Sequence, residues 1–276
     1  ARDRFVPGMC VLSKGLSAVK ITRGSTMWHS HTVRLRACWG RSPASSPRLA
    51  APSCALDTLL SVCERALAST GEAVFDRHMS ATVDFWFDAS CPCTWITSRW
   101  AVEVAEARGF AVTWHPFSLA VLNEGKDIPE DYRKHVEDAR LGAQVAAGVA
   151  AECGNEILGA FYTELGERYF GAKRQNERAA IAEALEAAGA PADLLDRAAD
   201  YADAIEKSTR EGLKLVGDDV GVPIVAFDGV AFFGPVISPA PHGQAALDLW
   251  DGCVALARTP GFFELKRTRT VGPIFD

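Results

Sequence analysis

The stretch Phe85–Trp100, FWFDASCPCTWITSRW, decides how the protein folds. It overlaps a run of aromatic and β-branched residues, Thr82–Phe87, that predicts a strand. The next three residues, DAS, break the strand, and Pro92–Arg108 has the apolar spacing of a helix. A second strand is predicted at Phe110–His115. The resulting β-α-β unit implies a parallel pair of strands joined by a right-handed crossover.

A helical region and a β-hairpin follow this unit. The predicted strands Ile224–Phe227 and Val230–Phe233 flank the dipeptide Asp228-Gly229, which is a strong hairpin signal. His242–Arg258 then predicts a last amphipathic helix. Between the two β units, Ala- and Glu-rich sequence predicts helices at Glu130–Cys153, Glu156–Tyr169, Asn176–Ala188 and Ala192–Leu215.

The first 78 residues differ from the rest in composition. They hold 11 Lys and Arg against 5 Asp and Glu, a net charge of +6, whereas residues 79–276 hold 18 against 30, a net charge of −12. Residues 41–53 are rich in Ser, Pro, Ala and Arg, which is typical of a linker. We predict that residues 1–78 are a poorly structured, non-native extension translated from upstream sequence. A targeting segment is the alternative.

The composition of the whole chain excludes several classes of protein. With 276 residues, 48% of them hydrophobic, the chain can bury a stable core. The acidic body argues against nucleic-acid binding, and no apolar run is long enough to predict a membrane span. The eight cysteines are irregularly spaced and follow no convincing secretory signal. We therefore expect a cytoplasmic protein, monomeric or dimeric, with free thiols.

Cys91 stands where a thiol becomes reactive. It falls at the predicted N-cap of the helix, and Pro92 falls at the first helical position, where proline is favoured. The unpaired N–H groups of a helix start can lower a thiol pKa from about 8.5 to roughly 3.5–7.5. Cys91 is therefore the predicted nucleophile, with a buried inert cysteine as the alternative. We interpret Cys153 and Cys253 as core residues.

A second informative element, Gly221-Val222-Pro223-Ile224, precedes the hairpin. A proline that opens a strand can form a cis peptide bond, although an ordinary trans bond is the alternative. In a β-α-β…β-β-α fold this loop comes beside Cys91. There the backbone of Val222 can pair with an extended substrate, while Pro223 cannot donate.

These elements together resemble the DsbA-like branch of the thioredoxin superfamily. The resemblance implies an α/β thioredoxin fold at 79–118 and 217–276 with an inserted all-helical domain at 119–216. More narrowly, five motifs are similar to the actinobacterial mycothiol-dependent nitroreductase family: Phe85–Trp100, SLAVLNE (Ser118–Glu124), PEDY (Pro129–Tyr132), GVAFFGPVIS (Gly229–Ser238) and FFELKRTRT (Phe262–Thr270). The resemblance covers about residues 79–276.

The redox motif departs from the Cys-Pro-Trp-Cys of the family's dithiol members. The family's first cysteine falls on Cys91, its tryptophan on Cys93 and its second cysteine on Thr94. Positions i and i+3 of a helix are neighbours and positions i and i+2 are not, so Thr94 faces Cys91 and Cys93 points away. We predict a monothiol mechanism in which Thr94 donates to the thiolate. A strained, easily reduced Cys91–Cys93 bridge is the alternative.

The resemblance also implies a substrate pocket and a co-substrate. The family's pocket asparagine and tyrosine match Asn123 and Tyr132, with a turn and helix packing as their other interpretations. Pro92 and Trp95, which belong to the redox motif, are also predicted to contact the substrate. Loss of the family's tryptophan removes an aromatic surface for nitro compounds. Mycothiol or a similar small thiol is the implied co-substrate, with a glutaredoxin-like partner as the alternative.

The expected activity is thiol-dependent oxidoreduction of disulfides or of electrophilic or nitro small molecules. A thiol-dependent transferase or isomerase, like kappa-class glutathione transferases and hydroxychromene carboxylate isomerases, is the second hypothesis. A non-catalytic binding protein is the third. No metal site is expected, because His29 and His31 lack a matching ligand set. His115 and the basic run Lys266–Arg269 are expected to be structural or solvated.

Overall fold

Four short strands form the central sheet. The structure is a computed structural model, and it describes residues 83–275. Strands β1 (Val83–Phe87), β2 (Val112–Pro116), β3 (Ile224–Phe227) and β4 (Val230–Phe233) lie in the order β2-β1-β3-β4. β1 is parallel to β2 and antiparallel to β3, and β4 is antiparallel to β3. This is the sheet of a thioredoxin fold, which confirms the predicted fold class.

Helix α1 (Pro92–Arg108) makes the crossover between β1 and β2, with the bounds that the sequence predicts. It ends at Gly109, whose φ of 73° is in the left-handed region that favours glycine. The N–H groups of Gly109 and Phe110 both donate to the carbonyl of Ala105. Because Phe110 completes the helix end, β2 begins at Val112 and not at the predicted Phe110.

The segment between β2 and β3 is helical. It contains α2 (Leu119–Leu122), α3 (Glu130–Asp138), α4 (Arg140–Gly166), a π-helix (Glu167–Gly171), α5 (Arg178–Ala187), two short 3₁₀ helices (Ala192–Leu195 and Ala198–Tyr201) and α6 (Ala202–Val216). None of the helices within residues 83–275 is both long and apolar enough to cross a bilayer.

The predicted helix bounds in this segment are wrong in several places; the helix predicted at Asn176–Ala188, for example, spans Arg178–Ala187. The predicted helix 130–153 divides at Ala139, and α4 continues past the predicted break, with a kink at Gly154 where φ is 82°. Tyr169 lies in the π-helix and not in an α-helix. The predicted helix 192–215 begins as two 3₁₀ helices and is α-helical only from Ala202.

The hairpin and the last helix close the fold. Strands β3 and β4 have the predicted bounds. The turn residues Asp228 and Gly229 have φ angles of 52° and 83°, and positive φ at both positions characterises the type I′ turn that suits a two-residue hairpin. Helix α7 (Gln244–Ala257) follows, starting two residues later and ending one residue earlier than predicted.

The two faces of the sheet bury different clusters, because successive side chains of a strand point to opposite faces. Phe85 and Phe87 of β1 belong to the larger cluster, which also includes residues of α1, α4 and α5. Within it the rings of Phe87 and Tyr162 are stacked with centroids 3.9 Å apart. The helical segment therefore shares a core with the sheet. The division into a thioredoxin-like domain (79–118 and 217–276) and a helical insertion (119–216) remains a prediction. The extension predicted at 1–78 lies outside the described residues.

Trp86 of β1 belongs to the second, smaller cluster on the other face. The side chains that pack around it come from β3, from the loops at the end of the sheet and from helices α1, α2, α3 and α6: Cys91, Cys93, Phe117, Leu119, Ala120, Ile128, Val136, Leu213, Val222, Ile224 and Ala226. We call this set the thiol-side cluster. It places Cys91 together with the loop that precedes the hairpin.

Candidate active site

Cys91 is the N-cap residue of α1, as predicted. Its backbone is extended, with φ −85° and ψ 112°, and Pro92 is the first helical residue. Its N–H donates to the carbonyl of Asp88 at 3.0 Å, which closes a tight turn between β1 and the helix. Only 5% of the residue is exposed. The chain therefore delivers a nearly buried thiol to a helix N-terminus.

The start of α1 favours negative charge on that thiol. Within α1 the first turn contains no acidic residue, and no side chain caps its N-terminus. Such a helix end carries N–H groups without an intrahelical partner and a partial positive charge. A helix start of this kind can stabilise an anionic sulfur at its N-cap position.

The thiol of Cys91 also faces the loop before the hairpin. It donates to the carbonyl oxygen of Val222, with the sulfur 3.9 Å from that oxygen. Val222 is fully buried, and the Val222–Pro223 peptide bond is cis. The carbonyl of Pro223 accepts from the N–H of Gly234, which fixes the loop to β4. The structure thus brings Cys91, Val222 and Pro223 together.

Thr94 lies one helical turn after Cys91 and is fully buried. Its hydroxyl oxygen has no hydrogen-bond partner among residues 83–275. The hydrogen bond that the sequence predicts from Thr94 to the sulfur of Cys91 is therefore not formed in this structure. A buried hydroxyl without a hydrogen-bond partner costs about 1–3 kcal/mol of stability. The hydroxyl of Thr94 therefore lacks, in this structure, the partner that would offset this cost.

Cys93 is also buried, with 8% of its surface exposed, and its thiol is not in a disulfide. The i, i+2 spacing predicts that it points away from Cys91. In the structure, however, Cys93 packs in the same thiol-side cluster as Cys91. The two sulfur atoms therefore belong to one apolar environment, although the helix does not align their side chains.

The predicted pocket residues Asn123 and Tyr132 differ in what they contact. Asn123 ends α2, and its amide donates to the carbonyl of Leu119 at 2.7 Å, so this amide stabilises its own turn. Tyr132 is half-buried, packs against the thiol-side cluster and stacks on His135 with ring centroids 6.4 Å apart. Of the two, Tyr132 presents its ring to the cluster that contains Cys91.

Trp95 is enclosed by its neighbours. Only 6% of it is exposed, and its ring lies in offset contact with Phe170 at a centroid distance of 6.0 Å. The guanidinium of Arg99 lies 4.1 Å from the ring centroid, and Gly166 of α4 lies so close that a Cβ there would overlap the indole. Trp95 is thus packed between α1 and the helical segment and offers little surface for a substrate.

Asp88 is a site residue that the sequence analysis missed. It follows β1 directly, and only 2% of it is exposed. One carboxylate oxygen accepts from the N–H and hydroxyl of Ser90, at 2.8 and 2.6 Å, and the other accepts from the N–H of Leu119 at 2.7 Å. Burial raises the pKa of Asp88, and these hydrogen bonds oppose the rise. An acidic residue directly after a buried aromatic strand, three residues before Cys91, was the available signal.

A contact from the helical segment reaches the same loop. The side-chain amide of Gln175, between the π-helix and α5, donates to the carbonyl of Ser90 at 2.6 Å. Gln175 stands between Lys173 and Asn176, whose φ angles of 57° and 62° are unusual for residues other than glycine. The sequence contains no local signal for this contact, because its partners are 85 residues apart.

The remaining candidates occupy structural positions. Cys153 and Cys253 pack against the larger core, and burial raises the pKa of Cys253 to about 11. His115 stacks on Trp86 and pairs with Asp84 at 2.8 Å. The run 266–269 is exposed. Within residues 83–275 no three His, Cys, Asp or Glu side chains gather as metal ligands, and the predictions for His29 and His31 lie outside that range.

Comparison with known proteins finds one sequence relative, several solved structures with partial similarity and one family model. An uncharacterized protein, Rv2286c, from Mycobacterium tuberculosis (strain ATCC 25618 / H37Rv) is 30% identical over 195 residues, which are 68% of this chain and 83% of that protein. The reduced form of the disulfide bond oxidoreductase DsbG from Mycobacterium tuberculosis aligns with a TM-score of 0.42 at 18% identity, over 65% of this chain and 86% of that one.

Another solved structure, ScsC from Proteus mirabilis in a transitional conformation, aligns with a TM-score of 0.41 at 14% identity, over 73% of this chain and 87% of that chain. A family model described as Rv2466c-like, mycothiol-dependent nitroreductase Rv2466c, matches residues 90–267, which are more than half of the chain. The chain belongs to this Rv2466c-like family of mycothiol-dependent nitroreductases.

Proposed function

We propose that the protein is a thiol oxidoreductase in which Cys91 is the nucleophile and a low-molecular-weight thiol, mycothiol by family membership, is the reductant. One observation carries this proposal. The sulfur of Cys91 lies at the start of α1, 3.9 Å from the carbonyl of Val222. A helix start stabilises the thiolate, which is the reactive form of cysteine.

The first step is attack by the Cys91 thiolate on a substrate disulfide. A bond forms between Cys91 and one substrate sulfur, the disulfide bond breaks, and the other sulfur leaves as a thiolate. The thiolate of mycothiol then attacks the substrate sulfur of this mixed disulfide. A new mixed disulfide is released, and Cys91 is again a thiolate.

The residues around Cys91 support this single-thiol cycle. Thr94 occupies the position one turn along α1, where a resolving cysteine would stand, and its buried hydroxyl has no partner among the described residues. We propose that this hydroxyl donates a hydrogen bond to the sulfur of Cys91 when Cys91 is a thiolate. A threonine cannot form a disulfide, so an external thiol resolves the intermediate.

The same site suits small electrophiles, including nitro compounds. Reduction of a nitro group to a nitroso group takes two electrons and two protons. Two thiols supply them as they join in one disulfide, and one oxygen leaves as water. Tyr132 packs against the thiol-side cluster and is the aromatic ring we assign to the substrate side, in place of the packed Trp95. Pro92, Asn123 and the Val222–Pro223 peptide complete the proposed substrate surface.

Intact-mass analysis after exposure to oxidised mycothiol tests the proposal. The wild-type protein should gain one mycothiol, which dithiothreitol removes. The variant Cys93→Ser should keep this adduct, and Cys91→Ser should lose it, with Cys253→Ser as the control for loss of a half-buried thiol.

Three results would contradict the single-thiol cycle. An adduct that survives in Cys91→Ser would place the nucleophile elsewhere. Loss of two hydrogens in the wild type without an adduct would indicate a Cys91–Cys93 disulfide. Complete inertness of Cys91 would indicate a binding protein.

A further inference from the structure

The carboxylate of Asp88 joins two loops of the proposed active site. One oxygen holds Ser90, the residue before Cys91, through two hydrogen bonds. The other oxygen holds the N–H of Leu119, which starts α2. The carbonyl of the same Leu119 accepts from the amide of Asn123. One buried side chain thus connects the turn that carries Cys91 to the turn that carries Asn123.

The hydrogen bonds at Asp88 favour its anionic form. All three groups that bond to its oxygens are donors: two N–H groups and a hydroxyl. Donors that face a carboxylate stabilise its charge, and such charge-assisted bonds are stronger than neutral ones. Burial acts in the opposite direction and is the largest influence on the pKa of Asp88, which it raises. Asp88 therefore needs all three donors to remain ionised at this buried position.

Several titratable groups share this environment. Burial raises the pKa of Asp88, and the charge of His135 of α3 acts in the opposite direction. Burial raises the pKa values of Tyr162 of α4 and Tyr169 of the π-helix, and the charge of Asp88 adds to the rise. The charge of Cys91 acts on Tyr162 in the same direction. Cys91 and Asp88 therefore belong to one buried electrostatic environment, and like charges in it oppose each other.

We propose that Asp88 is a positioning residue for the reaction of Cys91, a role that rests on the proposed function of that thiol. Its three hydrogen bonds hold the Cys91 turn against α2, and its negative charge opposes the stabilisation that the helix start gives to the thiolate. The nucleophilicity of a thiolate falls as the thiolate becomes more stable. Asp88 thus keeps the sulfur of Cys91 a strong nucleophile.

The test is the pH profile of Cys91 alkylation by iodoacetamide, followed by peptide mapping in wild type and variants. Asp88→Asn removes the charge, so the pH midpoint for Cys91 should fall by about one unit. Asp84→Asn is the matched control, because it removes the same charge from β1 at a site paired with His115. This control should leave the midpoint of Cys91 unchanged.

A folded Asp88→Asn whose midpoint equals or exceeds that of the wild type overturns the inference. If this variant does not fold, Ser90→Ala decides. It removes one of the three donors that keep Asp88 ionised, so the carboxyl becomes neutral more readily and the midpoint for Cys91 should fall; a midpoint that does not fall also overturns the inference. Absence of a mycothiol adduct on wild-type Cys91 would instead overturn the proposed function, since the alkylation profiles do not depend on it.

Discussion

The thiol of Cys91 donates to the carbonyl oxygen of Val222, 131 residues further along the chain. This contact joins the start of α1 to the loop before β3. A thiol that donates here is protonated, so formation of the thiolate breaks this contact. We propose that the hydroxyl of Thr94, one turn along the helix, donates to the thiolate.

The first prediction concerns this hydroxyl. Thr94→Val replaces a buried hydroxyl that has no partner among residues 83–275 with a methyl group of similar size. We expect the variant to be at least as stable as the wild type, by up to about 1 kcal/mol in urea unfolding, because the cost of the unpaired hydroxyl disappears. Alkylation of Cys91 at neutral pH should slow, since the thiolate loses its donor.

Thr94→Ser serves as the control, because it keeps the hydroxyl and should retain the alkylation rate of the wild type. A Thr94→Val variant with an unchanged alkylation rate would show that the hydroxyl does not serve the thiolate.

The second prediction concerns the contact of Gln175 with the carbonyl of Ser90. Gln175→Leu keeps the approximate size of the side chain and removes the donor. We expect a loss of about 1 kcal/mol of stability and faster hydrogen exchange at the amides of residues 88–91, because the loop loses a restraint. Gln244→Leu, which removes a surface contact with Asp248, should change neither measurement near Cys91.

The third prediction compares two glycines within helices. Gly166→Ala should destabilise the protein by about 1–3 kcal/mol, because its Cβ would overlap the ring of Trp95. Gly252→Ala should stabilise it by up to about 1 kcal/mol, because α7 offers open space there and alanine favours helix. Thermal unfolding of both variants measures the two changes in stability. A Gly166→Ala variant as stable as the wild type would contradict the packing described around Trp95.

The fourth prediction concerns the order in which the cysteines react. Burial raises the pKa of Cys253 to about 11, so its thiolate is absent at neutral pH and appears only as the pH approaches that value. At pH 8 about one Cys253 in a thousand is ionised. Peptide mapping at that pH should find alkylated Cys91 long before alkylated Cys253. Equal rates at the two positions would contradict the placement of Cys91 at an activating helix start.

Signals between near neighbours in the sequence were sufficient to predict part of this site. Pro92 after a broken strand predicts the start of α1, and Asp228-Gly229 predicts the hairpin, since a few adjacent residues determine both. The partners of Asp88 and Gln175 are not predictable in this way, because Leu119 and Ser90 lie 31 and 85 residues from them. Helical spacing likewise predicts where Cys93 points on α1 but not that the surrounding loops enclose it with Cys91.

The stacking of Phe87 on Tyr162 has a consequence for how the chain behaves as a whole. Phe87 ends β1, Tyr162 belongs to the helical segment, and both are almost completely buried. Removal of that segment would expose one side of the sheet to water and leave β1 without its aromatic cover. The helical segment, although inserted in the order of elements, is therefore not an independent folding unit. We expect residues 83–275 to unfold in one cooperative transition.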